Sequence, residues 1–298
     1  MTYHESVLLK ESIDGLAIKP DGIYVDVTYG GGGHSREILK RLKKGKLIAF
    51  DQDEDALKNA IDDDRLIMVN ANFRFMKNFL MYHKALPVDG ILADLGVSSY
   101  QIDDHGRGFS IRFDAELDMR MNTVGKVSAK EIISEYTAEQ LSKVLGAYGE
   151  LNHAGRIANA IVSERKIKKI ETSDDLKNAI GKFAERGKEN KFYAKVFQAL
   201  RIEVNDEINA LREFLKQSHD VLIEGGRLVV ISYHSLEDRL VKNFMKSGNE
   251  EGLVEKDFYG NEKTVYEIIT RKPMVPGDEE VEKNTRARSA KLRIAAKK

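Results

Sequence analysis

Asp26, four consecutive glycines from Gly30 to Gly33, His34 and, one helix length later, Asp51 have the types and spacing of a nucleoside-binding site. An apolar run over 23–27 leads into the glycines, and a helix-like stretch begins at Ser35. Without a Cβ, glycine takes positive φ angles freely and lets the backbone approach a ligand closely. The helix start behind the glycines offers unpaired N–H groups to a carboxylate or another anion. Asp51 closes a second apolar run, where a carboxylate can accept both hydroxyls of a ribose. The dinucleotide pattern G-x-G-x-x-G is not met: counted from Gly30 its last position falls on Ser35, and counted from Gly31 on Arg36. Asp26 adds negative charge beside the loop. That disfavours a pyrophosphate and suits a cationic amino group, such as the methionine end of S-adenosylmethionine. A glycine turn without a ligand is the plainer alternative, and it leaves four glycines after a strand without a purpose.

The elements around these residues alternate. Strand-like runs fall at 23–27, 46–51, 66–70, 88–94, 227–233 and 263–271, with helical patterns at 35–42, 54–61 and 75–83 between the early ones. Such alternation with short connections predicts a parallel sheet covered on both faces, and the last run, after a helix at 236–246, reads as an antiparallel edge. Between Asp94 and Arg227 the rhythm breaks, because a crossover needs only about 30 residues. The excess, on the order of 100 residues, reads as helical at 128–136, 138–145, 154–166 and 172–183. Phe197, Leu200, Val204, Ile208, Leu211 and Leu215 mark one stripe, predicting a single long helix that returns to the sheet. The expected architecture is an α/β, Rossmann-like sheet (1–106 and 204–298) with an inserted all-helical domain (107–203) after the fourth strand, placed to act as a substrate platform. The chain contains no cysteine, which excludes disulfides and thiolate metal sites. No leader-like N-terminus and no long apolar run is present, so a cytoplasmic, soluble protein without a membrane partner is expected. Positive and negative residues balance at 48 each, so nucleic-acid binding must come from local patches.

Several further motifs occur in order. Asp94-Leu95-Gly96-Val97-Ser98-Ser99 with Gln101 is followed by Arg107-Gly108-Phe109-Ser110 and by Leu117-Asp118-Met119-Arg120-Met121. Phe197-Gln198-Ala199-Leu200-Arg201-Ile202 with Asn205, and Ser232-Tyr233-His234-Ser235-Leu236-Glu237-Asp238-Arg239, come next. Arg271-Lys272-Pro273 and Arg286-Ala287-Arg288-Ser289-Ala290-Lys291-Leu292-Arg293 close the set. From His4 to Arg293 the chain resembles the bacterial small-subunit ribosomal RNA (cytosine-N4)-methyltransferases, enzymes with a class I methyltransferase sheet. Tyr100, Thr285 and the pair Lys195-Val196 depart from the family's usual pattern. The resemblance implies an S-adenosylmethionine-dependent enzyme that methylates the exocyclic amine of a cytosine in the decoding centre of 16S rRNA, with the small ribosomal subunit as partner and no DNA. It also implies that Gly32, Gly33 and His34 meet the methionine end of the cofactor, that Asp51 takes the ribose, that Phe73 lies against the adenine, and that Asp94 and Gln101 complete the pocket.

A cytosine amine is a poor nucleophile, because its lone pair is delocalised into the ring. Methylating it requires in-line positioning and an acceptor for the amine hydrogen. Asp94, at the end of the fourth strand, is the candidate acceptor. The alternative is a cofactor-pocket carboxylate that never touches the base. Tyr233 and Tyr100 are candidates to stack on an extruded base. Arg286, Arg288, Lys291 and Arg293 form a basic C-terminal patch that reads either as phosphate contact or as a solvated tail, and the resemblance favours RNA; Lys297 and Lys298 read as tail. Arg107 and Arg239 are further RNA candidates, whereas Arg120 is expected to pair with Asp118. Arg165 to Lys169 and the segment 182–195 add basic surface within the insertion. Ser235 with Asp238 reads as a helix cap. The histidines show no metal-ligand spacing, so no metal is expected. A nicotinamide-dependent oxidoreductase and a non-catalytic ribosome-assembly factor are the competing functions, and monomer and homodimer both remain open.

Overall fold

The computed structural model describes residues 6–104, 106–125 and 127–298, with the backbone alone considered at Ser99, Glu262 and Lys263. His4, where the resemblance begins, lies outside the described residues. Two compact units emerge, one made of 1–96 and 208–298 and the other of 97–207. The domain boundaries expected from the sequence, at 106/107 and 203/204, both fall inside the second unit.

The first unit starts with α1 (Leu9–Gly15), β1 (Ile23–Asp26), α2 (Gly33–Arg41), β2 (Lys46–Asp51), α3 (Glu54–Leu57), β3 (Leu66–Asn70), α4 (Met76–Tyr82) and β4 (Val88–Asp94). The second unit holds α5 (Ser99–Asp103), α6 (Ala129–Glu135), α7 (Ala138–Gly149), α8 (Ala154–Glu164), α9 (Ser173–Ile180) and α10 (Glu189–Asn205). The chain then forms α11 (Glu207–Val221), β5 (Leu222–Ser232), α12 (Ser235–Ser247), the small pair β6 (Glu255–Lys256) and β7 (Glu262–Lys263), β8 (Tyr266–Ile268), α13 (Asp278–Lys283) and β9 (Lys291–Lys297).

The seven-stranded sheet runs β3-β2-β1-β4-β5-β9-β8. Its first five strands are parallel, and β9 pairs antiparallel with both β5 and β8. This is a mixed α/β sheet with the parallel core and antiparallel edge expected from the sequence. Side chains alternate between two cores, as the strand period of two demands. Ile91, Ala93, Leu228 and Val230 face one core with Phe214 and Phe244, while Leu92, Val229, Ile231 and Ile294 face the other with Ile13 and Ile38. The second unit has its own core, built from Leu117, Ile132, Leu141, Leu145, Ile157, Leu176 and Leu200 among others.

Three local expectations are corrected. The stripe from Phe197 to Leu215 spans two helices rather than one. The break lies at Asp206, a left-handed residue with φ 49°, a conformation Asp tolerates better than most. The Asn205 amide donates to the carbonyls of Met119 and Arg201 and its oxygen accepts from the Met121 N–H, so this helix end is tied to the 119–121 loop. The basic C-terminus is not a tail. Leu292, Arg293, Ile294, Ala295 and Ala296 are buried in β9, and the Lys297 ammonium donates to the Leu222 carbonyl. Finally, the cap of α12 is His234 with Glu237, one residue before the expected pair, which leaves Asp238 free to accept from Arg293 at 2.7 Å and Lys291 at 3.2 Å. Burial opposes ionisation of Asp238, but the two cations outweigh it and hold the carboxyl below its usual range. Removing one partner of such a buried pair costs about 3–5 kcal/mol.

Candidate active site

Three of the five parallel strands end in carboxylates: Asp26 on β1, Asp51 on β2 and Asp94 on β4. Carboxyl ends of strands are where open α/β sheets bind ligands. The loop after β1 folds over these ends. Gly30 and Gly32 take φ of 52° and 73°, and a Cβ on Gly32 would sit 2.5 Å from the Tyr29 hydroxyl. That hydroxyl is fixed from below, donating to the Asn59 carbonyl at 2.9 Å and accepting from the Ile61 N–H at 3.1 Å. The tight turn therefore requires glycine at 32, whose carbonyl starts α2 by accepting from the Arg36 N–H. The N-cap of α2 is Gly32, which has no side chain to cap it, so the first-turn N–H groups are suited to an anion.

Each carboxylate has a distinct employment. Asp26 is 1 % exposed and accepts from the Ser35 hydroxyl at 2.7 Å and the Thr28 N–H at 3.1 Å. It fastens the loop to the start of α2. Asp51 accepts from the Gly30 N–H at 2.8 Å and the Asp53 N–H at 2.9 Å. Burial, reinforced by the charges of Asp53 and Asp26, lifts its carboxyl to about 6 against those bonds. Asp94 receives the Tyr233 hydroxyl on Oδ1 at 2.7 Å, and its own N–H donates to the Thr28 hydroxyl at 2.7 Å. Burial, with help from Asp26 and Glu237, pushes the Asp94 carboxyl to about 7, although the Tyr233 bond pulls the other way. The phenol of Tyr233 is raised in turn, by burial first and then by the adjacent carboxylate, and so remains a donor.

His34 completes the arrangement. Its Nε2 lies 3.1 Å from the Val7 carbonyl, which can only accept, so Nε2 carries the proton. Burial lowers the imidazole to about 4, which keeps the ring neutral at physiological pH. The unprotonated Nδ1 then faces Asp94 Oδ2 across 3.8 Å, too far for a hydrogen bond between them. Two acceptors facing each other at this separation suit a donor with N–H groups placed between or beside them. An ammonium and an exocyclic amine both have that chemistry. A glycine cradle, an uncapped helix start, a carboxylate at the end of β2 and this acceptor pair fit S-adenosylmethionine.

Phe73 lies in a short turn after β3, half-buried, its ring edge-on to Phe214 at 5.5 Å. The Asn72 amide before it donates to Gln52, just past Asp51, at 2.8 Å. Gln101 belongs to the second unit, where it is buried and shares a reciprocal cap of α5 with Ser98. Arg107 is buried as well. Its guanidinium donates to the carbonyls of Arg120 and Met121 and lies 5.6 Å from the Phe109 ring centre, an internal employment that differs from the expected phosphate contact. Arg120 pairs with Asp118 through two bonds of 2.8 and 2.7 Å. Arg293 is buried against Asp238, and Lys291 also reaches that carboxylate. Arg239 on α12 and Arg288 are exposed, and Arg286 is half-buried. The hydroxyl contact of Tyr233 with Asp94 is one that sequence reasoning, which offers Tyr233 only as a stacking candidate, misses. Its signal was faint: the residue follows β5, the strand paired with β4, so the two strand ends must lie side by side. Tyr100, the other stacking candidate, is 56 % exposed on α5.

Comparison with known proteins agrees with this geometry. The pattern of the MraW methylase family matches residues 1–298. A ribosomal RNA small subunit methyltransferase H of Christiangramia forsetii is 56 % identical over 298 residues, covering 100 % of this chain and 98 % of that protein. The proteins of the same name from Parabacteroides distasonis (57 % over 297 residues, 99 % of this chain and 97 % of that protein) and Flavobacterium johnsoniae (56 % over 298, 100 % and 98 %) are similarly close. With its strand-end carboxylates, its glycine loop and relatives matched along their whole length, the chain belongs to the MraW methylase family.

Proposed function

We propose that this protein methylates the exocyclic N4 amine of a cytosine in the decoding centre of 16S ribosomal RNA, using S-adenosylmethionine. The observation that carries the reading is the Asp94 carboxylate: one oxygen is held by Tyr233, and the other is turned toward a neutral His34 at 3.8 Å. The full-length relatives named as small-subunit ribosomal RNA methyltransferases support the choice of substrate. Bound S-adenosylmethionine supplies an electrophilic methyl group on a sulfonium.

The chain's own residues supply position and proton transfer. The N–H groups at Gly33 and His34 take the methionine carboxylate, Asp51 accepts the ribose hydroxyls, and Phe73 lies against the adenine. Asp94 Oδ2 accepts an N–H of the cytosine amine. That bond draws the nitrogen toward a pyramidal geometry and frees its lone pair. As the C–N bond forms and the methyl–sulfur bond breaks, leaving a neutral thioether, the amine loses a proton, which passes to the Asp94 carboxylate and then to solvent. A carboxyl lifted to about 7 is suited to this exchange, since a base works best with a pKa near the operating pH. The second unit, 97–207, serves in this proposal to recognise the RNA.

In cells lacking the gene, the nuclease fragment of 16S rRNA that carries the target cytosine should be one methyl group lighter by mass spectrometry. The chain expressed from a plasmid should restore the mass. An unchanged fragment in the deletion strain would exclude this target.

A further inference from the structure

The segment 182–195 carries five basic residues, Lys182, Arg186, Lys188, Lys191 and Lys195, against Glu185 and Glu189, in a chain with no net charge. It borders a cavity of about 320 Å³ whose lining lies wholly within the second unit. His153, Phe183, Lys188, Lys191, Phe192 and Lys195 contribute to the walls, and no residue of the methyl-transfer site does. Lys188, Lys191 and Lys195 follow each other at steps of three and four, which places them on one side of the α10 start. Helices α8 and α10 both begin at this cavity, at His153 and Lys188, and neither start carries a side-chain cap. Their first-turn N–H groups add to the positive field.

The carboxylates present offset part of that field and leave it positive: Glu185 pairs with Lys188 at 3.0 Å and Glu150 lines the wall, its backbone carbonyl accepting from Lys195 at 3.4 Å, so three lysines stand against two glutamates. Among the described residues Lys191, which is exposed, has no carboxylate partner. Phe183 and Phe192 are half-buried, packed on the core of the unit along one side and bordering the cavity along the other. Lysines with helix starts are the chemistry of a phosphate site, and aromatic rings beside them are the chemistry of an unstacked base. The volume is at the small end of ligand clefts, roughly 300–1,000 Å³, and suits one nucleotide.

We propose that this cavity is a second RNA-binding site, taking an unpaired nucleotide with its base against Phe183 and Phe192 and its phosphates against Lys188, Lys191 and Lys195. The identity of the RNA rests on the function proposed above; binding itself does not require turnover.

The test is fluorescence anisotropy with a short, labelled, cytidine-rich single-stranded RNA and the full chain, over a range of salt concentrations. A Lys191→Glu, Lys195→Gln variant should bind about tenfold or more weakly. Its salt slope should be smaller by about 1.4, from about 0.7 for each lost phosphate contact on a single strand, with unaltered affinity for S-adenosylmethionine. Ultraviolet cross-linking of the unaltered protein to the same RNA should yield a modified peptide within 182–195, and this result decides the matter if the variant does not fold. Equal affinity and slope in a folded variant, or cross-links confined to other peptides, overturn the proposal and turn the cavity toward an acidic protein segment. An inactive protein that still binds and cross-links here would retain this site and lose the methyl-transfer reading. An active protein without these signals would do the reverse.

Discussion

An Asp94→Asn protein should transfer methyl groups about 10²–10⁴-fold more slowly than the unaltered enzyme, the usual range for a lost general base, with near-normal affinity for S-adenosylmethionine. Asparagine keeps the size of the side chain and an acceptor for Tyr233, but its amide cannot take the proton the amine releases. The unaltered enzyme should show an acidic limb in kcat/KM with an apparent pKa near 7, set by burial of the carboxyl and by Asp26 and Glu237. Activity falls as the pH drops through that limb, because a protonated carboxyl accepts nothing. Tyr233→Phe removes the hydrogen bond that favours the carboxylate, so the limb should move to higher pH. A merely structural tyrosine would not move it.

The same shift has a stability consequence of definite sign. The folded-state pKa lies above the unfolded value of 3.8, so the contribution of Asp94 is fully present below that value and is lost as pH rises through about 7. Without bound ligand, Asp94→Asn should therefore be more stable than the unaltered protein at pH 8, by at most about 4 kcal/mol, and should lose that advantage in acid. Full turnover in the asparagine variant would remove Asp94 from the chemistry and leave it a cofactor-pocket carboxylate.

An Asp51→Ala protein should lose about 10²-fold or more in affinity for S-adenosylmethionine, measured by calorimetry. Hydrogen bonds to a charged acceptor contribute about 1.5–3 kcal/mol each, and the ribose offers two. Part of the loss is indirect, because Asp51 also holds the Gly30 N–H and so the glycine loop. Asp51→Asn separates the two effects, since it can retain a bond to that N–H while losing the charge. Affinity of the unaltered protein should weaken as pH falls below about 6, where the Asp51 carboxyl takes up its proton. Unchanged affinity in Asp51→Ala would place the ribose elsewhere.

The first four strands were legible because buried parallel strands read as short apolar runs, and the glycine loop because only a few structures have use for four glycines in a row. The last strand was not. Lys291, Arg293 and Lys297 give β9 the look of a basic tail, and what makes it a strand is a distant carboxylate, Asp238, that pairs with Arg293 and allows it to be buried. The break at Asp206 was hidden for a different reason: Val204, Ile208 and Leu211 keep helical spacing across it, so periodicity alone runs straight through. Carboxylates could be found at strand ends, but their employments could not. Spacing does not show that Ser35 donates to Asp26, and the partner of Asp94, Tyr233, is 139 residues away. Nor does spacing show the burial that separates Asp94, near 7, from an ordinary surface aspartate.

The central claim is most directly tested by incubating the protein with methyl-labelled S-adenosylmethionine and small ribosomal subunits prepared without the modification, with naked 16S rRNA in parallel. The account predicts label in a single nuclease fragment from the decoding centre, released as N4-methylcytidine on full digestion. Absence of label from both substrates, by a protein shown to bind S-adenosylmethionine, would contradict it and leave a different acceptor or a ribosome-assembly role without turnover.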